Sequence, residues 1–326
     1  MLVIGFLIVA ILFVCAAGTA LGLAFLKRAH RPAGRFVPVT GGTLHIVEIG
    51  PQTDDPPIVL LHGASGNLED QRLTLGMALA HKRRVVLIDR PGHGFSDRPG
   101  GMADASPARQ AALIDEALAR IGVARAVIAG HSWSGALAAT CALDFPARVA
   151  GLVLLAPVTH PWPGGISWYN RLAMRPVVGS LFVYGLALPL GLLLIGGALK
   201  EVFAPQLAPA DYLRRAAARL VLRPREFIAN AQDVGALKAF VTAQAPRYRE
   251  IAVPTVIITG DCDNTVSCDL HSRAMAALVP GAKLIVLDGV GHMLHHTSCD
   301  VIVAAINELT ALARERRKTH SPLVAS

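Results

Sequence analysis

The chain has 326 residues, 53% hydrophobic and 17% charged, with a formal net charge of +8. That length allows one large catalytic domain with an inserted subdomain or two modest domains, and the scarcity of charge excludes long disordered stretches. The mean hydropathy of +0.47 is high for a wholly soluble protein; no nucleic-acid motif or aromatic–basic interleaving accompanies the positive balance, which therefore points to solvated faces and anionic lipid rather than nucleic acid.

The first element, Leu2 to Leu26, carries no charged side chain and ends at Lys27-Arg28, followed by Arg31. At 1.5 Å per residue a helix of this length covers a hydrocarbon core of about 30 Å. A secretory signal would place its charge before a shorter apolar run, so an uncleaved transmembrane anchor over residues 1–27 is expected. The positive-inside rule then puts the catalytic domain in the cytoplasm, with a periplasmic domain as the alternative. Gly18-x-x-x-Gly22 offers a small-residue face for packing against another helix.

After a polar linker (28–35), short apolar runs alternate with helical patterns. Candidate strands are Thr43–Ile49, Ile58–His62, Arg84–Asp89, Ala126–Ala129, Gly151–Leu155, Thr255–Thr259 and Lys283–Leu287. Several are unbroken Val/Ile/Leu runs, as in strands covered on both faces of a parallel sheet. Ser106-Pro107 reads as an N-cap with proline at the first helical position, and residues 136–143 suit a helix buried on the sheet. A doubly wound α/β core over 36–157 and 251–316 follows. The alternation stops between 158 and 250, which reads as an inserted helical cap; 317–326 reads as a basic, disordered tail.

The sharpest signal is Gly130-His131-Ser132-Trp133-Ser134-Gly135, where an apolar strand runs straight into a helix through a serine. Such a turn strains the serine backbone, demands small neighbours two positions away, and exposes the hydroxyl at a helix start. Ser134 replaces the last glycine of the usual G-x-S-x-G. A serine nucleophile needs a base, itself oriented by a third group. In this architecture the acid and then the histidine follow the serine in chain order. Asp263 (with Asp261 as rival) lies just past one strand and His292 past the last, both at the carboxyl ends where open α/β sheets gather their sites. The oxyanion hole needs two backbone N–H groups; Trp133, after the nucleophile, and Ala64, in the loop Leu61-His62-Gly63-Ala64-Ser65-Gly66, are the candidates. His62 and the glycine-rich Asp89-Arg90-Pro91-Gly92-His93-Gly94-Phe95-Ser96 read as structural.

In this order and context, His62-Gly63, Asp89 to Ser96, Gly130 to Gly135, Gly260-x-x-Asp263 and Gly291-His292 resemble the α/β-hydrolase fold superfamily, over about residues 36–315 apart from the cap. The chain looks like the capped branch, which includes bacterial esterases, cofactor-free haloperoxidases and carbon–carbon bond hydrolases. The resemblance implies a serine hydrolase with no cofactor. Epoxide hydrolases and haloalkane dehalogenases carry aspartate at the elbow, and Ser132 argues against both.

Pro176 to Leu199 is a second uncharged stretch. A single crossing there would put Ser132 on one side of a membrane and Asp263 with His292 on the other, so it belongs to the cap, as a buried helix pair or as a helix dipping into one leaflet. Either gives Ser132 an apolar approach. The expected activity is cleavage of a hydrophobic carboxylic ester or lipid-like acyl substrate, with carbon–carbon hydrolysis or perhydrolysis as the alternative and a cap arginine aimed at Ser132 as the sign of the carbon–carbon option. A non-catalytic binding protein is the remaining reading. His292, His295, His296 and Cys299 lack a carboxylate-rich or Cys-x-x-Cys partner, so no metal site is expected. Five cysteines, an odd number without Cys-x-x-Cys, imply reduced thiols.

Overall fold

The computed structural model describes residues 2–320. An eight-stranded sheet in the order β1-β2-β4-β3-β5-β6-β7-β8 forms the core, from β1 (Arg35–Val39), β2 (Gly42–Ile49), β3 (Ile58–Leu61), β4 (Val85–Ile88), β5 (Ala126–His131), β6 (Val149–Leu155), β7 (Thr255–Gly260) and β8 (Lys283–Leu287). Strand β2 runs antiparallel to both its neighbours, and every pairing from β4 to β8 is parallel. The central strands β3 to β7 are buried along their whole length, which is why they read as continuous apolar runs rather than alternating ones.

The seven expected strands are all present, and β1 adds an eighth. It escapes the apolar-run criterion because it is an edge strand with one buried face and carries Pro38. Proline is tolerated there because β1 has a neighbour on one side only.

Helices cover both faces. On one lie α4 (Pro107–Arg120) and α5 (Trp133–Asp144), whose Leu113, Ile114, Ala117, Ala136 and Leu137 pack with inward residues of the sheet. On the other, α2 (Leu68–Gln71) and α3 (Met77–Ala80), joined by a π turn, lie near α13 (Cys299–His320), and Leu75, Leu79, Ile302, Ile306 and Leu309 fill that layer. Each fully buried aliphatic side chain contributes roughly 1.5–3 kcal/mol by leaving water. Ser106 stands at the N-cap position of α4 before Pro107, although its side chain makes no capping bond. Helix α13 continues through 317–320, where a disordered tail was expected; 321–326 lie outside the described residues.

Between β6 and β7 the cap comprises α6 (Trp168–Ala173), α7 (Val178–Leu181), α8 (Leu188–Phe203), α9 (Tyr212–Arg215) and α10 (Pro224–Gln244). Short helices α11 (Ala274–Leu278) and α12 (Leu294–Thr297) flank β8. The apolar cap segment is not a buried helix pair. Val178–Phe203 is one helical run, α7 passing into α8 through a π turn, and by length and composition it could cross a membrane. Pro189 does not break it: the run widens into a π turn over Phe182–Ala187 just before the proline, and the Gly185 carbonyl, four residues back, accepts the Thr19 hydroxyl instead. One face of the run buries Phe182, Val183, Ala187 and Leu188, while the other turns Val178, Leu181, Tyr184, Leu193 and Leu194 outward.

The first helix, α1 (Leu2–Ala29), is continuous and lies against this segment. Leu26 joins Leu188 and Leu222 in a small apolar cluster, and Thr19 Oγ1 donates to the Gly185 carbonyl at 3.4 Å. Of the small-residue pair, Gly22 meets Leu188, so close that an added Cβ would come within 2.6 Å of its Cδ2, whereas Gly18 faces open space. The stripe is thus partly spent on an intramolecular contact.

Candidate active site

Four loops at the carboxyl ends of β3, β5, β7 and β8 converge. Ser132 follows β5 and stands at the N-cap position of α5 with φ 54° and ψ −117°, a region that an L-residue holds only when its surroundings enforce it. The enforcement is visible in its neighbours. A Cβ on Gly130 would collide with the Ser134 carbonyl, and one on Gly135 with Pro157. The Ser132 carbonyl accepts from the N–H of Gly135 at 2.8 Å and of Val158 at 3.0 Å. Ser134, where glycine is usual, donates its hydroxyl to the His62 carbonyl at 2.5 Å. The departure adds a tie between the elbow and the loop after β3.

Ser132 Oγ stands 3.0 Å from His292 Nε2, and His292 Nδ1 stands 2.7 Å from Asp263 Oδ2. The other carboxylate oxygen, Asp263 Oδ1, accepts the backbone N–H groups of Thr265 and Val266, both at 2.8 Å. The carboxylate therefore cannot rotate away from the imidazole without losing both. Of the two candidate acids, Asp261 points elsewhere and accepts the Gly289 N–H at 2.7 Å. Ser132 is 8% exposed and His292 3%, so both are almost shut off from solvent. A hollow of about 260 Å³ between Asp55, Arg83 and Arg314 opens at the opposite, amino-terminal edge of the sheet and does not reach it.

The loop after β3 passes directly over the serine: a Cβ on Gly63 would lie 3.1 Å from Ser132 Cβ. His62 shapes this loop as its position suggested. Its Nδ1–H donates to the Gly63 carbonyl at 2.9 Å and its Nε2 accepts the Arg90 N–H at 3.0 Å. Burial, then the Arg90 charge, hold its pKa well below the ordinary histidine value, which keeps the ring neutral. Ser65, at φ 57°, gives its N–H to Asn230 Oδ1 of α10 at 2.6 Å. Neither Ala64 N–H nor Trp133 N–H has a protein acceptor among the described residues, which leaves both available to an anion.

Three features of the site went unnoticed in the sequence. Arg90, read as part of a structural turn, is fully buried and ion-paired with Asp233 of the cap at 2.6 Å. Asn230 and Asp233 carry no local signature, lying in a helix whose sequence gives no motif. Asp70 supplies the carboxylate partner that His295 and His296 lacked. Its oxygens take His295 Nε2 at 2.9 Å, His296 Nε2 at 2.8 Å and the cap's Tyr212 hydroxyl at 2.7 Å. Asp70, His295 and His296 place ligand-type atoms within 4.8 Å of one another, and the bonds from Asp70 to both histidines and to Tyr212 latch the cap to the core. Cys299 takes no part in it. His131 lies between His292 and His295, tilted against the first and edge-on to the second, at 4.8 and 4.5 Å between ring centroids.

The profile of the alpha/beta hydrolase fold family matches residues 56–298. A 2-hydroxy-6-oxononadienedioate/2-hydroxy-6-oxononatrienedioate hydrolase of Cupriavidus pinatubonensis is 28% identical over 279 residues, 79% of this chain and 88% of that one. Dihydrolipoyllysine-residue acetyltransferase components of the acetoin cleaving system, from Pseudomonas putida and Cupriavidus necator, also match, but the chain spans under half of their length, 43% and 34%. Among solved structures, the enol-lactonase of Burkholderia xenovorans aligns with TM-score 0.68 at 20% identity, over 85% of this chain and all of that one. A structure described as a membrane phospholipase A, a bacterial virulence factor, aligns with TM-score 0.62 at 22% identity over 96% of both chains, which leaves too few unmatched residues to omit the whole of α1.

Proposed function

The chain belongs to the α/β-hydrolase fold family and is a hydrolase; on that premise we propose that it cleaves hydrophobic carboxylic esters or lipid-like acyl compounds at a membrane, through an acyl-enzyme on Ser132. The observation that carries the reading is the hydrogen-bonded chain from Asp263 through His292 to a strained Ser132.

In this mechanism Ser132 Oγ attacks the ester carbonyl carbon while His292 Nε2 takes the hydroxyl proton. The C=O π pair moves onto oxygen, and the Ala64 and Trp133 N–H groups receive that alkoxide. When the tetrahedral species collapses, the alcohol leaves with the proton from His292. Water then repeats the sequence on the acyl-enzyme and releases the carboxylic acid. Asp263 keeps the Nδ1 proton in place, so that Nε2 is the basic nitrogen at each stage.

The substrate class is supported by apolar surface that water does not favour. Leu193 of α8 is 81% exposed and Phe6 of α1 77% exposed, on two helices in contact with each other. Exposed apolar side chains gathered on two adjoining helices support an interaction surface. We read α1 as a membrane anchor, with Lys27 and Arg28 in its last turn at the cytoplasmic interface. The outward face of α7 and α8 then rests in the adjoining leaflet, and membrane lipid is the partner.

A second reading, carbon–carbon hydrolysis, is the one the comparisons back better: the relatives matched over 80–90% of their own length are named as hydrolases of 2-hydroxy-6-oxo-dienoates or -dienedioates, a cleavage that the same serine and histidine could perform. On the other side, three of the cap arginines already have partners: Arg214 has Asp211, Arg223 has the Gly94 carbonyl and Glu226, and Arg225 has the Ser96 carbonyl and Asp97.

The test uses the full chain in nanodiscs. A fluorophosphonate probe should label the wild type and not Ser132→Ala. A series of p-nitrophenyl esters should then show kcat/KM rising with acyl length. Equal or better turnover of acetyl ester would remove the lipid-like reading, and turnover of a 2-hydroxy-6-oxo-dienoate without ester cleavage would install the carbon–carbon reading instead.

A further inference from the structure

Resting on the reading of Ser132 as nucleophile, we propose that the cap helix α10 builds the oxyanion hole: Asp233 and Asn230 are positioning residues that fix the Ala64 and Trp133 N–H groups. The two side chains lie three apart on α10 and so share one face of it.

Begin with Ala64. The peptide that carries its N–H also carries the Gly63 carbonyl, and that oxygen receives two donors, Arg90 Nη2 at 3.1 Å and His62 Nδ1 at 2.9 Å. Because a trans peptide is planar with C=O and N–H opposed, pinning the carbonyl on the Arg90 side fixes the direction of the Ala64 N–H on the other. The next peptide is held as well, by the bond from Ser65 N–H to Asn230 Oδ1. Both peptides flanking the Ala64 Cα are thus tied, one through Arg90 and one directly to α10. That second tie also spends the Ser65 N–H, which singles out Ala64 as the donor.

Arg90 in turn depends on Asp233. The carboxylate takes Arg90 Nη1 at 2.6 Å, His93 Nε2 at 2.9 Å and Arg98 Nη1 at 2.9 Å, all inside the protein. A buried guanidinium is costly to desolvate and keeps one position only while its partner is present. Asp233 reaches the second donor by its backbone. Its carbonyl accepts Trp133 Nε1–H at 3.0 Å, and Arg90 lies 4.1 Å over the same indole. One cap residue therefore grips the side chain of Trp133 and, through Arg90, the peptide of Ala64.

A consequence follows for the catalytic cycle. Ser132 is buried beneath the loop after β3, which α10 ties down through Asn230, so substrate entry that displaces α10 loosens both donors. The hole is complete only with the cap closed, which ties alkoxide stabilisation to enclosure of the substrate.

The test compares wild type with Asp233→Asn, Asn230→Ala and Asn230→Asp as full chains in nanodiscs. Asp233→Asn removes the charge that holds Arg90 and keeps the backbone carbonyl. Misplacing an oxyanion donor by about 1 Å costs on the order of 10²-fold in rate. The expected result is kcat lower by ~10- to ~100-fold with KM changed by less than about threefold. A long-chain trifluoromethyl ketone supplies a readout that packing alone does not move. Its tetrahedral adduct on Ser132 carries the oxyanion itself, whose pKa, followed by 19F NMR, should rise in Asp233→Asn and Asn230→Ala. Asn230→Asp, which retains an acceptor for Ser65 N–H, should recover most of the loss. Folded variants with a lower melting temperature but unchanged kcat and unchanged adduct pKa would overturn the proposal. If Asp233→Asn fails to fold, the Asn230 pair decides by the same two readouts. No adduct on wild type would instead overturn the nucleophile reading, and the proposal with it.

Discussion

Replacing Asp263 with asparagine should disable the enzyme through a proton on the wrong nitrogen. Two backbone N–H groups, of Thr265 and Val266, fix the acceptor identity of the Oδ1 position. In Asp263→Asn the amide oxygen takes that place, and the NH2 group faces His292 Nδ1. The imidazole then accepts at Nδ1 and carries its proton on Nε2, where it donates to Ser132 Oγ instead of receiving from it. Restoring the productive tautomer requires the amide to flip, which turns its NH2 against both backbone donors. At about 1–3 kcal/mol for each unsatisfied group, the flip costs about 2–6 kcal/mol, or about 30-fold to about 10⁴-fold in rate. Asp261→Asn is the control. Its amide oxygen still accepts the Gly289 N–H, so kcat should stay within about twofold of wild type. Single-turnover ester hydrolysis, with melting curves to show that both variants fold, makes the comparison. Asp263→Asn retaining more than about a tenth of wild-type turnover, or a larger loss in Asp261→Asn, would refute the assignment of acid and rival.

Two other outcomes follow from the same structure. Ser134→Ala removes the bond from its hydroxyl to the His62 carbonyl, but Arg90 Nε still holds that carbonyl at 3.1 Å; urea denaturation should show a loss of about 1 kcal/mol with kcat within about threefold, and a collapse of kcat would mean the loop depends on the elbow serine alone. Stability should fall with pH below neutrality. Burial lowers the pKa of His93 and His271 to about 4 from 6.5, with Arg90 and His160 adding to it, and holds His62 and His131 well below the ordinary value. Between pH 6.5 and about 4 the unfolded chain binds protons at these sites while the folded chain does not, so unfolding gains up to ~1.4 kcal/mol per pH unit from each fully buried histidine. His45 opposes them: burial would lower it, but Asp89 and the Ala33 carbonyl raise it, so its contribution is present at low pH and lost as the pH rises. A urea midpoint that stays flat from pH 7 to 4.5 would contradict this balance.

Much of the sheet is legible in the sequence because its signal is local. A strand buried on both faces must be apolar at every position, and β3 to β7 announce themselves that way. Strand β1 does not, since half of its residues face water and Pro38 interrupts it. The elbow is legible for a similar reason: strain at Ser132 imposes small residues at fixed spacing, and a fixed spacing is visible without a structure. The acid and base follow from chain order and from the loops after the last two strands. What stays hidden is every contact whose partners are far apart in sequence. Asp233 lies 143 residues from Arg90, and Asn230 lies 165 from Ser65; nothing in either neighbourhood distinguishes an acid that grips a buried arginine from one on a solvated helix face. Asp70 with His295 and His296 is the same case, at 225 and 226 residues.

The apolar cap segment shows how a topological argument outperforms composition. By hydropathy alone Val178–Phe203 passes for a membrane-spanning helix. Its position between β6 and β7 forbids a single crossing, because β5 and β7 share one sheet and must lie on one side. That argument assigns the segment to the cap but says nothing about which of its faces is buried. The structure supplies the missing half, since a helix with one face against α1 and the cap interior and the other turned outward satisfies both constraints at once. The same segment leads on to α10, whose Asn230 and Asp233 reach the loops around Ser132. The apolar surface and the proposed supports of the Ala64 and Trp133 N–H groups are thus parts of one inserted subdomain, so that whatever displaces the cap at its outer face should be felt at Ser132.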